Sequence, residues 1–519
     1  MDDATRTALD AETPVNPYSL LDALNTAAAR TNAVWLLFLG LMAYLALAVG
    51  ALTHRDLLLD AGIALPLLQT RIDLARFFVG APALLALAHL AVIAQFVLLA
   101  RKAAEFDDAV RLLESTDLRS HPLRLEVDSF FHVQAIAGPE RSRVVGAILH
   151  VLGWLTLLLL PLALLVYLQV AFLPFHNATV TAVQAGIVLA DLAVVLLAGV
   201  FLLRAETSFF RALLRLVLKN PGSVAFGLAT VAGAAFVTVA AIAPATVPGA
   251  AASPGAPLLG VFPRHLALAD ASLVSDKALI GTRTISLRGR DLRFARLDRA
   301  DLRQADLTGA RLDGANLTGA DLRGARLGCA NASALQQPDG RAKAGCTSAR
   351  AADFSAAQMT GASLAGADLR GARFDEAVLE RADLSRAQMA GATFERAKLQ
   401  RANLSGGVLH AASLLQASLQ GAALVGARLE MADLSGAGLQ GAGLAGAHLG
   451  GAILRGSDLE GAGLQRAKLY GSDLRGAKLN AADLAGAAVW RAVPPSGDAV
   501  SLADLANIAI KPPAAADIE

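Results

Sequence analysis

Two ionisable side chains sit where an apolar chain tolerates them poorly. His89 lies near the middle of the apolar run Val79–Ala100, and Asp191 near the middle of Val180–Leu203. An imidazole and a carboxylate on neighbouring helices can share a proton, and so form part of a proton or ion path. They can equally be glue, satisfying each other across a helix bundle. A transport path shows several ionisable groups and broken helices, so two groups at mid-depth read first as glue. A second pair with chemistry is Cys329 and Cys346, 17 apart, which form a disulfide in an oxidising compartment and two free thiols in a reducing cytosol. A third group is the cluster Arg288, Arg290, Arg293, Arg296 and Arg299, able to meet anionic lipid headgroups beside a membrane. Interleaved Asp291, Asp298 and Asp301 favour a solvated face instead. Phosphate loops, metal-ligand spacings and Ser/His/Asp arrangements do not stand out, so the sequence points to no enzyme and no cofactor or metal.

The elements that carry these residues divide the chain. Hydrophobic residues make up 55% and charged residues 17%, against about 25% charged in soluble domains. The apolar excess lies before about residue 246, and a net charge of +2 suggests no polyanion partner. Five runs are long enough to cross a bilayer, which needs ~20 mostly apolar residues: 32–53, 79–100, 144–173, 180–203 and 223–246. The last is Ala-rich, and the third contains Pro161, which predicts a tilt or kink. The acidic N-terminal segment 1–31 does not read as a cleavable signal peptide.

Lys and Arg near the helix ends set orientation. The segment between runs two and three holds Arg101, Lys102, Arg111, Arg119, Arg124, Arg141 and Arg143, and that between runs four and five holds Arg204, Arg211, Arg215 and Lys219. Pro174–Thr179 holds none, and the first connection only Arg55, Arg71 and Arg76. The topology that fits most of this bias has the N-terminus inside and the C-terminal half outside. It needs all five crossings; without Ser223–Thr246 the C-terminal half falls in the cytoplasm.

From Ile285 to Trp490 the chain repeats every five residues: Ala-Asp-Leu-Arg-Gln, Ala-Asp-Leu-Thr-Gly, Ala-Arg-Leu-Asp-Gly. With the apolar centre named i, centres run from Leu287 to Leu327 and again from Phe354 to Val489. Positions i−2 and i share a parity and face inward; i−1 faces out; i+1 and i+2, often Ser, Thr or Gly, suit a turn that tolerates positive φ. The separation of Leu327 and Phe354 is not a multiple of five, so 328–351 is either looped out of a coil or a joint between two stacks. Residues 247–284 read as linker and lower cap, with Asp270-Ala271-Ser272-Leu273 a degenerate repeat. Residues 491–519 read as upper cap and tail, Val500–Ile510 folding over the last coil.

This rhythm resembles the pentapeptide-repeat family, whose motif is Ala-(Asp/Asn)-Leu-x-x. The resemblance implies an all-β right-handed quadrilateral β-helix of four repeats per coil, joined here to an α-helical transmembrane bundle. Asn16-Pro17-Tyr18-Ser19-Leu20-Leu21, Thr53-His54-Arg55 and Phe172-Leu173-Pro174-Phe175-His176-Asn177 are similar to a bacterial family of multispanning membrane proteins with C-terminal pentapeptide repeats. That likeness implies a bacterial inner-membrane protein and carries architecture without an activity; the charge bias puts the solenoid in the periplasm, or in the cytoplasm if the fifth run does not cross. The function expected is a membrane-anchored binding or scaffolding module whose partners are the lipid bilayer and a further protein. One alternative is a small transporter or channel with a regulatory solenoid. Another is DNA mimicry, as in the quinolone-resistance members that resemble DNA and bind gyrase. A DNA mimic needs an acidic rod, whereas 285–490 holds 25 Lys and Arg against 20 Asp and Glu; no nucleic acid is expected.

Overall fold

A computed structural model describes residues 17–59, 62–65, 70–113, 119, 121–140, 142–202, 221–242, 265–273, 285–330 and 345–495. The chain divides into two units. The first, helical, gathers Met1–Leu52, Gly62–Leu173 and Asn177–Pro248; the second gathers Thr53–Ala61, Pro174–His176 and Gly249–Glu519.

In the helical unit, α1 is Pro17–Gly50 and α3 is Leu74–Arg111, with the six-residue α2, His54–Leu59, between them in sequence. α1 begins well before the expected Asn32 because Leu21, Leu24 and Ala28 continue a buried stripe at helical spacing. α3 starts on an N-cap, the Asp73 side chain accepting from the Arg76 amide. It runs past Ala100 because Ala103, Phe106, Asp107 and Val110 stay buried. α4 is Phe131–Ile136; α5 is Arg143–Trp154, a π-helical turn follows at Leu155–Leu159, and α6 is Leu160–Phe172. α7 is Ala178–Leu202 and α8 is Pro221–Ile242. α3 lies against both α1 and α7. Among the described residues, four helices are long and apolar enough to cross a membrane: Pro17–Gly50, Leu74–Arg111, Val144–Phe175 and Ala178–Leu196. In the fifth run, Gly227–Ala240 ranks as a shorter apolar helix within α8.

The second unit is built of stacked coils. Parallel bridges join residues 20 apart, as Asp383↔Asn403 and Asn403↔Ala423, at four positions per coil. Repeats with Asp or Asn at i−1 satisfy their backbone donors in a fixed way, seen around Leu384. The Ala382 amide closes the preceding turn on Leu379 O (3.0 Å), and the Asp383 amide reaches Ala362 O in the coil before (2.9 Å). The Leu384 and Arg386 amides reach Asn403 O (2.7 Å) and Ser405 O (3.0 Å) in the coil after. The remaining amide, at i+1, is met by the side chain at i−1: Ser385 N donates to Asp383 Oδ1 at 3.1 Å. The same bond recurs at Asp353, Asn403, Asp433 and Asp473. Asp or Asn at i−1 therefore completes the hydrogen bonding of the repeats that carry it.

Position i+2 lies in the left-handed region at corner after corner. Glycine serves there at no steric cost, as at Gly391 (φ 66°), yet arginine occupies the same conformation at Arg381, Arg386 and Arg401 (φ 56–57°). Inside, Ala at i−2 and Leu, Met or Phe at i are buried throughout the central coils. Phe354, Phe374 and Phe394 stack along the axis at 4.9 and 4.8 Å, the spacing of hydrogen-bonded strands.

The register break is an excursion from one continuous stack, and the two-stack alternative is set aside. Arg311 bridges Ser348, 37 residues on where 20 is the rule, so 17 residues leave the coil. The repeat series resumes at Ala349, one repeat before Phe354: its amide bonds to Asp368 O (2.7 Å) and it is fully buried. Alanine at a centre hid this repeat from the pattern. Below Ile285, Ala267 and Ser272 bridge Arg296 and Asp301, so Leu266–Leu273 forms part of a lower coil. The segments 247–263 and Val500–Ile510 lie outside the described residues.

Replacing Asp433 with Ala removes an acceptor that no backbone group supplies, and is expected to cost about 1 kcal/mol, whereas Asp433→Asn keeps it. Phe374→Ala is expected to cost about 3–5 kcal/mol through the cavity left in the ring stack. Urea unfolding of the purified protein measures both; equal midpoints for the Ala and Asn variants at 433 would refute the side-chain bond.

Candidate functional site

The helical unit brings His89 and Asp191 together. Nδ1 of His89 lies 2.9 and 3.0 Å from the two Asp191 carboxylate oxygens, and both side chains are buried. The third participant comes from a helix defect. Pro161 has no N–H and cannot donate to the carbonyl four residues back, at Leu157. The π turn ends just before this proline, its C-cap amide at Leu160 reaching back five residues to Leu155 O. The Leu157 carbonyl instead meets His89 Nε2 at 2.9 Å. The Phe38 ring of α1 stacks on the imidazole, centroids 5.6 Å apart and planes within 8°. One imidazole thus joins α1, α3, α7 and the π turn.

This geometry constrains the protons. A carbonyl only accepts, so Nε2 carries hydrogen. Nδ1 and the carboxyl then share one proton, as imidazolium with carboxylate or imidazole with carboxylic acid. Either form leaves the pair neutral, while adding or removing a proton leaves net charge in an apolar interior. The chemistry available is the holding of one proton and of three backbone elements. Asp191→Asn keeps a donor for Nδ1 and neutrality, so its Tm is expected near that of the parent. His89→Leu leaves a carboxyl and a carbonyl unpaired, at a cost of about 3–5 kcal/mol. Equal thermal denaturation of the two purified variants would refute a clamping role.

A second buried charge cluster escaped sequence reading. Arg124, fully buried, donates to Asp107 Oδ1 (2.5 Å) and to Ala137 O (3.1 Å). Arg119 donates to Asp107 Oδ2 (3.2 Å) and Ile136 O (2.8 Å), and Arg111 pairs with the same carboxylate at 2.9 Å. The only sequence signal was the i,i+4 spacing of Asp107 and Arg111; the other arginines arrive from 12 and 17 residues away.

Cys329 and Cys346 form a disulfide at the neck of the 17-residue excursion. Beside it Thr347 Oγ1 bonds Leu307 O (2.9 Å) and Gly328 O (3.1 Å). Alkylation under non-reducing conditions is expected to leave both cysteines unlabelled; two alkylated thiols would contradict the bond.

The five arginines of the first coils are each engaged. Arg293 forks onto Asp291, and Arg299 onto Asp270. Arg288 and Arg296 lie 3.9 and 4.0 Å from Asp306 and Asp298. Arg290 donates to Leu57 O (2.6 Å) and lies 4.2 Å over the Phe175 ring. Burial pushes the Asp291 carboxyl up, but Arg293 and His176 beside it outweigh that and hold it below the usual carboxylate range. The Arg299 hydrogen bond lowers Asp270 in the same way. The cluster is an interleaved ion-pair lattice rather than a bare basic face. Among the described residues no group of three His, Cys, Asp or Glu could hold a metal.

The outward positions of the coils mix charged, polar and small side chains. A family model described as pentapeptide repeats matches in eight copies, over 286–328, 352–389, 370–406, 402–441, 412–449 and 442–480. No curated protein matches. Among solved structures, the chain is similar to HetL, a pentapeptide repeat protein involved in heterocyst differentiation regulation from the cyanobacterium Nostoc sp. strain PCC 7120. Identity is 31%, covering 39% of this chain and 84% of HetL, with a TM-score of 0.20. A pentapeptide repeat protein from the Arabidopsis thaliana thylakoid lumen matches at 28% identity over 21% of this chain and 66% of its own, TM-score 0.12. Full-length QnrB1, a plasmid-mediated fluoroquinolone resistance protein, matches at 17% identity over 44% of this chain and 91% of its own, TM-score 0.19. By the repeats of its C-terminal region, the chain belongs to the pentapeptide-repeat proteins.

Proposed function

We propose that this is a bacterial inner-membrane protein whose five helical crossings anchor a solenoid in the periplasm, where it binds or organises a protein partner. The reading rests on the make-up of the second unit. Thr53–Ala61, the connection after α1, and Pro174–His176, the connection after α6, belong to the same compact unit as the solenoid. Connections that follow the first and third crossings lie on one face of a membrane. The chain regains that face only after an odd number of crossings, so α8 is the fifth. At 1.5 Å per residue its 22 residues span about 33 Å, enough for the ~30 Å hydrocarbon core. The Lys- and Arg-rich connections after α3 and α7 then lie on the opposite, cytoplasmic face. The Cys329–Cys346 disulfide suits an oxidising periplasm.

The coils wind, in this reading, as a right-handed quadrilateral β-helix, consistent with four bridge positions per 20 residues. Their sides present a repeating mixture of charged, polar and small groups, a surface suited to broad contact with a flat partner rather than to enclosing a substrate. Ion-paired arginines and a slightly basic balance give no acidic rod, so nucleic-acid mimicry is not part of the reading.

Alkaline phosphatase and green fluorescent protein fused after Glu519 test it. Phosphatase activity with a dark fluorescent fusion is expected; fluorescence with inactive phosphatase would place the solenoid in the cytoplasm and end the reading.

A further inference from the structure

The base of the solenoid unit holds three histidines from three separate stretches of chain. His54, in the connection after α1, accepts the Ala267 amide on Nδ1 at 3.2 Å. His176, in the connection after α6, meets Asp291 O through Nδ1 (3.1 Å) and His265 Nδ1 through Nε2 (3.0 Å). His265 in turn packs edge-on against Phe294 of the first coils, centroids 5.2 Å apart. We propose that these histidines form an acid-released clasp, which holds the two connections on the lowest coils at neutral pH and lets them go as the solution acidifies.

Proton placement supports this. Ala267 N–H donates to His54 Nδ1, so protonating that nitrogen sets donor against donor and breaks the bond. At His176 the carbonyl of Asp291 requires Nδ1–H, leaving Nε2 as acceptor and His265 Nδ1 as donor. One added proton is tolerated, since either imidazolium can still donate across the pair. A second sets N–H against N–H.

Charged groups among the described residues flank both histidine sites. Arg290 lies over Phe175, the residue before His176. Asp291, 3.6 Å from His176 Nδ1, is a nearby carboxylate, and its charge is already shared with Arg293 (2.8 Å) and Arg311 (3.7 Å). Asp270 is taken by Arg299. On the helix of His54, Arg55 adds positive charge and Asp56 accepts from the Thr53 amide (3.0 Å).

The sign follows for His54. Burial lowers its pKa in the folded chain, so the neutral form is the one folding favours. That contribution is whole above the unfolded value of about 6.5 and fades as pH falls through the lower folded value. Release takes more than one proton, which makes it steep. The clasp depends only on this base, and not on which side of a membrane it faces.

Hydrogen–deuterium exchange of the full chain in lipid nanodiscs, from about pH 8 to about pH 5 and corrected for intrinsic rates, tests the clasp. Protection over 54–59, 174–176 and 265–273 is expected to fall at least ~10-fold with a midpoint below about pH 6.5, while 354–489 keeps its own. A double variant, His54→Gln with His176→Asn, retains acceptors that do not titrate and an amide that tolerates the left-handed backbone of His176 (φ 56°); its response is expected to be flat. Unchanged protection in the parent, or a parent-like profile in the double variant, overturns the proposal. If the double variant is unprotected at every pH, the parent's profile alone decides.

Discussion

Everything in the C-terminal unit depends on how one five-residue segment disposes of its amides. Two reach the next coil, one reaches the previous coil, one closes the corner, and the last is met by the side chain at i−1 where that is Asp or Asn. A coil of 20 residues is the length at which this pattern closes on itself, with bridges recurring at the same four positions from Ser286 to Val493. The interior follows from it. Side chains at i stack directly over their equivalents one coil away, so three phenylalanines lie nearly parallel at strand spacing. The narrow lumen then admits only alanine, or an occasional small residue such as Ser457 or Ser472, at i−2.

That same closure explains how the stack tolerates interruption. Seventeen residues leave the coil between Leu327 and Ala349, yet the bridges on either side hold because the chain returns to the point at which it left. The Cys329–Cys346 bond and the paired hydrogen bonds of Thr347 lie at that point. A repeat architecture contacts only its neighbours, so an insertion that restores the register leaves distant coils untouched.

The helical unit follows a different logic. The knot at His89 exists because Pro161 cannot donate, which leaves the Leu157 carbonyl for His89. Once Nε2 is committed to that carbonyl, the partnership with Asp191 becomes a neutral, one-proton bond rather than an open ionisable site. A helix defect and a buried histidine thus satisfy each other.

What the sequence determined by itself is everything that repeats. The inward centres, the left-handed corners, the apolar runs and the position of the excursion are local patterns, and a period is visible without knowing the fold. Only tertiary structure decided the single contacts: the repeat at Ala349, the early start of α1, the hydrogen bond that completes His89, and the burial of Arg124. It also decided which loops belong with the solenoid, through bonds between residues 115, 213 and 233 positions apart. Spacing carries no information about such pairs, because one long-range hydrogen bond imposes no rhythm on the chain that makes it.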